Sequence, residues 1–289
     1  MENRGKHINP DHFERSQLKI ILIILPLVIF MFLPILFIVN HAFKPMEELF
    51  AFPPTFFVKN PTLDNFTKLI KFSRTSGIPL SRYIFNSLIV TLLTVGLALL
   101  LTTCAAFALS KIEYKGRSLM LQINQIAIMF VGTAVLIPRY IVICKMGIID
   151  TFWAHVLPLV ALPVALFLVK QFVDQIPDSL LEAAHLDGAT DFQVYYKIIL
   201  PMIKPAIATA MVLIFQQVWT NMETSSYFIN DDSLKTLTFY MNTLVNANTG
   251  VAGQGVSAAA TLIMFVPNLI MFCFCQKSVM NTMASSGIK

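Results

Sequence analysis

The chain has 289 residues, 56% of them hydrophobic and 13% charged, with a mean hydropathy of +0.70. A soluble domain carries about 25% charged residues, so this shortfall puts most of the surface against lipid or other helices and excludes an ordinary soluble domain. The net charge of +5 reads as anchoring charge near the ends of membrane spans, not as a nucleic-acid patch, and no nucleic-acid partner is expected.

In chain order, Met1 to Gln17 is polar, and the run Leu18 to Asn40 is too long for the core of a cleavable signal. It is expected as a retained first span, with Pro26 and Pro34 tolerated because neighbouring helices can satisfy the carbonyls they free. Five further stretches approach the ~20 apolar residues a spanning helix needs: 84–109, 119–143, 152–169, 202–218 and 256–274. The expected fold is all-α: a polytopic membrane protein of about six transmembrane helices with a cytoplasmic two-helix segment. The expected partition is a tail at 1–17, a first span at 18–41, an extracytoplasmic loop at 42–83, a five-helix core at 84–280 and a tail at 281–289. A polar segment, 174–204, interrupts the core.

In the loop, Asp64 to Phe72 has a weak helical pattern, with Phe66, Leu69 and Ile70 on one face. Lys111 to Arg117 is a tight basic turn, and Lys145 to Thr151 and Thr220 to Gln254 are outer connections. Lys and Arg near the span ends, including Arg15, Lys19, Lys111, Lys115, Arg117, Lys170, Lys197, Lys204 and Lys277, fall on one side if six helices alternate. That side is the cytoplasm, so both termini and the polar segment are expected there. Cys104, Cys144, Cys273 and Cys275 have neither disulfide nor zinc spacing and are expected as small apolar fillers; no metal site is expected.

The polar segment has two helix starts. Ile176-Pro177-Asp178-Ser179 opens the first, with Ser179 as cap and Glu182 completing a capping box; Gly188 ends it. Thr190-Asp191-Phe192-Gln193 opens the second, with Phe192, Tyr195, Tyr196 and Ile199 on an apolar face up to Pro201. Ala183 and Ala184 keep the first helix thin. Such a shape suits docking in a cleft of another protein, and an ordinary interhelical loop packing on itself is the alternative.

The spacing Glu182-Ala183-Ala184, Gly188, Ile198, Leu200-Pro201 resembles the signature of bacterial ABC importer permeases. The Asp187-Gly188-Ala189 form is similar to the carbohydrate branch, that of the second permease in a maltose-type importer. Asn86-Ser87, Lys115-Gly116-Arg117, Ile137-Pro138-Arg139-Tyr140 with Gly147 and Thr151, Gln276-Lys277 and Gly287-Ile288-Lys289 also fit. One departure is Trp219-Thr220-Asn221-Met222-Glu223, where the family often has Trp-Asn followed by an aromatic.

The resemblance implies an inner-membrane transport subunit with a second permease, two ATP-binding subunits and an extracellular solute-binding protein as partners, besides the lipid bilayer. ATP and Mg would sit on the partner ATPase, with no cofactor on this chain and no catalytic residue in it. The absence of a GxxxxGK[ST] loop agrees with that division. Glu182, Ala183, Ala184, Asp187, Gly188, Ile198, Leu200 and Pro201 would then couple to the ATPase, with Glu182 either capping its own helix or pairing with a basic ATPase residue.

Polar residues inside spans tend to face the bundle interior, which makes Asn124, Gln125, Gln216, Gln217, Trp219, Asn221 and Asn268 candidates for the translocation path. Amides with an aromatic suit an uncharged polyhydroxylated solute, a sugar or oligosaccharide; hydrogen bonding between spans is the alternative for each. A non-sugar solute and an ion-gradient-driven transporter are the competing readings. The span centres lack Asp, Glu, Lys and Arg, which disfavours the second. No catalytic constellation of a membrane enzyme stands out.

Overall fold

The computed structural model describes residues 15–75, 77–130, 132–247 and 250–286, and all regular elements among them are helical. Most of the expected N-terminal tail and the Gly287-Ile288-Lys289 match lie outside the described residues. The chain divides into two compact units, Met1–Leu69 with Asn248–Leu262, and Ile70–Ala247 with Ile263–Lys289.

In the first unit, α1 (Arg15–Phe43) runs unbroken through Pro26 and Pro34. Its apolar stretch is wholly exposed, so the neighbours expected to satisfy the freed carbonyls are not among this chain's described residues. Past α1, the Glu48 carboxylate accepts the backbone N–H groups of Lys59 (3.0 Å) and Asn60 (2.8 Å). Those bonds, the Lys59 amide's first, hold the carboxyl below its ordinary range.

The loop helix exists as α2 (Asp64–Thr75), but its buried face is not the expected one. Leu69 and Asn65 are buried, whereas Ile70 is 45% exposed. The Asn65 amide donates to the carbonyls of Ala42 (3.0 Å) and Lys44 (2.8 Å), groups left open where α1 ends. Hydrogen bonding thus outweighs apolarity in setting the rotation of α2.

A Cβ on Gly255 would meet the Asn65 side chain at 2.6, 2.7 and 2.8 Å. Gly255→Ala is therefore expected to destabilise the protein by about 1–3 kcal/mol. A thermal melt of the purified protein checks this, and an unchanged midpoint would mean that Asn65 yields.

The second unit is built on α3 (Leu80–Lys111). Around it stand α4 (Arg117–Met129), α5 (Leu136–Lys145), α6 (Phe152–Val160), α7 (Pro163–Asp174), α8 (Asp178–Leu186), α9 (Asp191–Met202), α10 (Lys204–Trp219), α11 (Leu237–Ala247) and part of α12 (Val251–Ser286). The core includes Ala98, Ala106, Ala165, Ala206 and Ala210, each 0% exposed. Small side chains there let the helix backbones approach closely, which is how helices pack without a hydrophobic drive between them.

Three helices are long and apolar enough to cross a membrane, at Leu18–Phe43, Leu80–Lys111 and Gly253–Lys277, and up to six spans result if each of three bent pairs is one. The continuous spans expected at 119–143 and 152–169 fall on two of those bent pairs, whereas the one expected at 202–218 is the unbroken helix Lys204–Trp219 with a bend at its start. α6 and α7 meet at 44° because Pro163 forces Leu162 before it into an extended conformation (φ −109°, ψ 102°). α9 and the helix from Lys204 meet at 80° about Ile203. The Pro205 ring would clash with the carbonyl four residues back if the helix ran straight through. The last helix also continues to Ser286, where a tail was expected.

The connection after α10 is held by side chains of other helices. Arg82 Nε (3.1 Å) and Asn86 Nδ2 (2.8 Å) bond the Ser233 carbonyl, His155 Nε2 the Leu234 carbonyl (3.1 Å), and Asn86 Nδ2 the Lys235 carbonyl (2.9 Å). Three consecutive carbonyls are so satisfied, and the Leu237 N–H donates to Ser87 Oγ (2.7 Å). The Asp150 carboxylate accepts from the Asn230 side chain (2.9 Å) and from the amides of Asn230 and Asp231, which holds its carboxyl below the ordinary range.

The four cysteines are free, with Cys104, Cys144 and Cys273 exposed on the chain.

Candidate functional site

The most distinctive surface is the α8–α9 segment. α8 begins where expected, but its cap is Pro177, with no side-chain capping bond. Ser179 lies inside the helix and Glu182 is exposed, so the expected box at this end does not form. Lys111, from the C-terminal end of α3, anchors this end of α8 in a different way. Its ammonium donates to the Ile176 carbonyl (2.5 Å) and pairs with the Asp178 carboxylate (2.7 Å), while its own side chain is 5% exposed.

The end of α8 follows the sequence closely. Gly188 has φ +81°, the left-handed conformation that glycine adopts without cost. Its N–H donates to the His185 carbonyl (3.0 Å) and that of Ala189 to the Ala184 carbonyl (2.9 Å), the paired bonds of a Schellman ending. The Asp187 N–H donates to the Ala183 carbonyl (3.1 Å). Across the bend, His185 Nδ1 lies 3.0 Å from the Ala189 carbonyl and Nε2 lies 3.5 Å from the Asp191 carboxylate. The box expected at the second start is present: Gln193 N–H to Thr190 Oγ1 (3.4 Å) and Thr190 N–H to Gln193 Oε1 (3.0 Å).

α9 does not present one apolar face. Tyr195 and Ile199 are buried, whereas Phe192 is 73% and Tyr196 63% exposed. A π-helical stretch, Tyr195–Ile199, widens the turn here, and the exposed Phe192 ring still lies against the buried Tyr195 ring, 6.4 Å between centroids. Tyr195 Oη bonds Thr103 Oγ1 (2.8 Å) and its ring packs beside Phe107 (centroids 5.6 Å apart), which fastens α9 to α3. Ala184, Ala189, Ile198 and Leu200 pack partly against the core. The uncovered surface of the segment includes Leu180, Glu182, Ala183, Leu186 at 90% exposure, Asp187, Phe192 and Tyr196. It combines apolar area with acidic groups on a frame braced from behind.

The path candidates fall into separate places. Asn124 Nδ2 approaches the Pro163 carbonyl (3.4 Å), at the break between α6 and α7, beside a cavity of about 140 Å³ lined mainly by apolar residues. Gln125 and Gln217 are exposed. Gln216 and Asn268 share a concavity between α10 and α12. Trp219 is buried; its Nε1 donates to the Met264 carbonyl (3.0 Å) and its ring stacks on Phe215 (5.8 Å between centroids). Asn221 Oδ1 accepts from the Thr224 backbone and hydroxyl (both 3.0 Å).

The departure at Glu223 acquires a structural role, since its carboxylate pairs with Arg139 and ties α5 to the turn after α10. Neither that pair nor Lys111, Thr103 and Tyr195 as braces was read from the sequence as such. Lys111 was legible only as a charge near a span end, because its partner lies 67 positions away.

A family model described as binding-protein-dependent transport system inner membrane component matches residues 83–277. The chain is 30% identical over 262 residues to the probable ABC transporter permease protein YurM of Bacillus subtilis, covering 89% of this chain and 83% of that protein. It is 26% identical over 258 residues to the arabinooligosaccharides transport system permease protein AraQ of Halalkalibacterium halodurans, covering 89% and 90%. Among solved structures, a bacterial ABC transporter involved in the import of the acidic polysaccharide alginate matches with a TM-score of 0.77 at 21% identity, over 92% of this chain and 98% of that one. This last likeness is one of fold.

Proposed function

The chain belongs to the family of binding-protein-dependent transport system inner membrane components, and from that premise we propose that it is the permease subunit of an ATP-driven importer of a saccharide. The observation that carries the reading is the uncovered face of α8–α9, with Leu186 at 90% and Phe192 at 73% exposure on a segment braced to α3 by Lys111 and Tyr195. An apolar patch rimmed by polar groups marks a docking surface. Its occupant is the ATP-hydrolysing subunit.

In this reading Glu182, Ala183, Ala184, Asp187 and Gly188 meet the ATPase, and Ile198, Leu200 and Pro201 carry its movement to α10. Closure of the ATPase pair shifts the docked helix. The braces pass that shift to α3, and the spans tilt between outward- and inward-facing states. A second permease and a solute-binding protein complete the assembly, both termini lie in the cytoplasm, and ATP with Mg is held by the ATPase subunits. A saccharide is favoured as solute because AraQ carries that description and because the path candidates here are amides with one aromatic, Trp219.

Proteoliposomes holding the assembled importer test this. Uptake of solute delivered by the binding protein is expected to require ATP and to persist when proton and sodium gradients are collapsed. Uptake that stops with the gradient while ATP remains would sink the proposal in favour of a secondary transporter.

A further inference from the structure

A concavity of about 260 Å³ lies between α10 and α12, and Phe215, Gln216, Phe265, Asn268 and Phe272 are among its walls. No charged side chain lines it. On α12, Phe265, Asn268 and Phe272 are spaced i, i+3 and i+7, one stripe of a helix with an amide set between two rings. On α10, Gln216 supplies the second amide, and Gln217, about 100° further round the helix, does not line the space.

The two amides are underused. The Gln216 side chain makes no hydrogen bond among the described residues. Asn268 has one long bond, 3.4 Å from Nδ2 to the Met264 carbonyl a turn back on its own helix. Oδ1 and the remaining N–H groups are open. Both helices belong to spans, and open amides facing hydrocarbon are costly. Such amides call for a polar partner, and the concavity is open to one.

Its chemistry is specific. A primary amide offers a donor and an acceptor side by side, the pattern that neighbouring sugar hydroxyls complement. The phenylalanine rings accept the apolar face of a sugar ring, and the lack of a cation gives no counter-charge to a uronate. Trp219 acts as a positioning residue, since its ring stacks on Phe215 of the same helix and its Nε1 bonds the Met264 carbonyl, which joins α10 to α12 beside the space. We propose that this chain itself contributes a saccharide subsite, with Gln216 and Asn268 binding the hydroxyls of one uncharged sugar ring between Phe265 and Phe272. The proposal rests on the importer reading and names where and what kind of solute that importer holds.

The test uses the assembled importer with its binding protein in proteoliposomes, and maltotriose, arabinotriose and trigalacturonate as probes. Gln216→Cys and Asn268→Cys, in a background without the native cysteines, are expected to react with a membrane-impermeant thiol reagent during ATP turnover. The transported neutral probe should protect them. Phe274→Cys, at an exposed position outside the concavity, serves as the comparison, and the probe should not protect it.

Gln216→Ala and Asn268→Ala are each expected to slow uptake of the neutral probe by about 3- to 10-fold, the effect of losing one net hydrogen bond. Gln216→Asn and Asn268→Gln should recover part of it. Unlabelled cysteines at both positions in an importer that still transports, or alanine variants at the parent rate, overturn the subsite alone. Preferential uptake of trigalacturonate overturns its neutral character. If no probe stimulates ATP hydrolysis in the parent, the importer reading fails and the subsite with it.

Discussion

Gly188→Val is expected to insert normally into the membrane and to lose solute-stimulated ATP hydrolysis. The cause is conformational, because a Cβ on Gly188 would meet nothing within 4 Å. At φ +81° an ordinary residue pays about 1–2 kcal/mol, and a β-branched one fits worse still. The chain relieves that strain by leaving the left-handed conformation. This breaks the bonds from Gly188 to His185 and from Ala189 to Ala184 that end α8 and swings Thr190, the cap of α9, away from its place. The uncovered face then no longer presents Leu186 and Phe192 together. Gly188→Asn should behave nearly as the parent, since asparagine tolerates this backbone. The measurement is ATP hydrolysis by the reconstituted importer with and without loaded binding protein. If the valine variant couples at the parent rate, α8–α9 is not the coupling element.

Lys111→Met is the second large effect. Methionine has similar length and fills the buried stem space, so the loss is that of the ammonium group. Two bonds go with it, and they are unequal. Asp178 is 77% exposed, and water replaces its ion pair at little cost. The Ile176 carbonyl belongs to a buried residue and loses a charged donor, worth about 1.5–3 kcal/mol. Lys111→Met should therefore lower stability by roughly that amount and raise amide exchange at the start of α8, with coupled ATP hydrolysis reduced. Asp178→Asn should be close to neutral in all three. Equal effects from the two substitutions would mean that the ion pair, not the carbonyl bond, anchors α8.

The extent to which the segment was legible follows from how local each feature is. The Thr190–Gln193 box and the Gly188 ending are three- to six-residue patterns whose partners sit within the same turn, so residue types at fixed spacing suffice to predict them. The expected Ser179–Glu182 box uses the same logic and fails because the helix starts one residue earlier, at Asp178 after Pro177, which puts Ser179 inside it and not at its cap. The apolar face expected across Phe192, Tyr195, Tyr196 and Ile199 divides because a π-helical turn departs from the 3.6-residue period assumed for it.

Residue order is enough to mark a helical membrane protein with a polar interruption at 182–201, because apolar length and charge spacing are one-dimensional properties. It also determined the bend at Gly188, a matter of local backbone sterics. Packing in three dimensions was needed to bend the helix pairs at 117–145, 152–174 and 191–227, and to choose which side of α9 is buried. It alone paired Arg139 with Glu223 and set Gln216 opposite Asn268. Those outcomes depend on which groups from distant parts of the chain meet, since a proline bend or an unsatisfied amide is settled by the neighbours around it and not by its place in the chain.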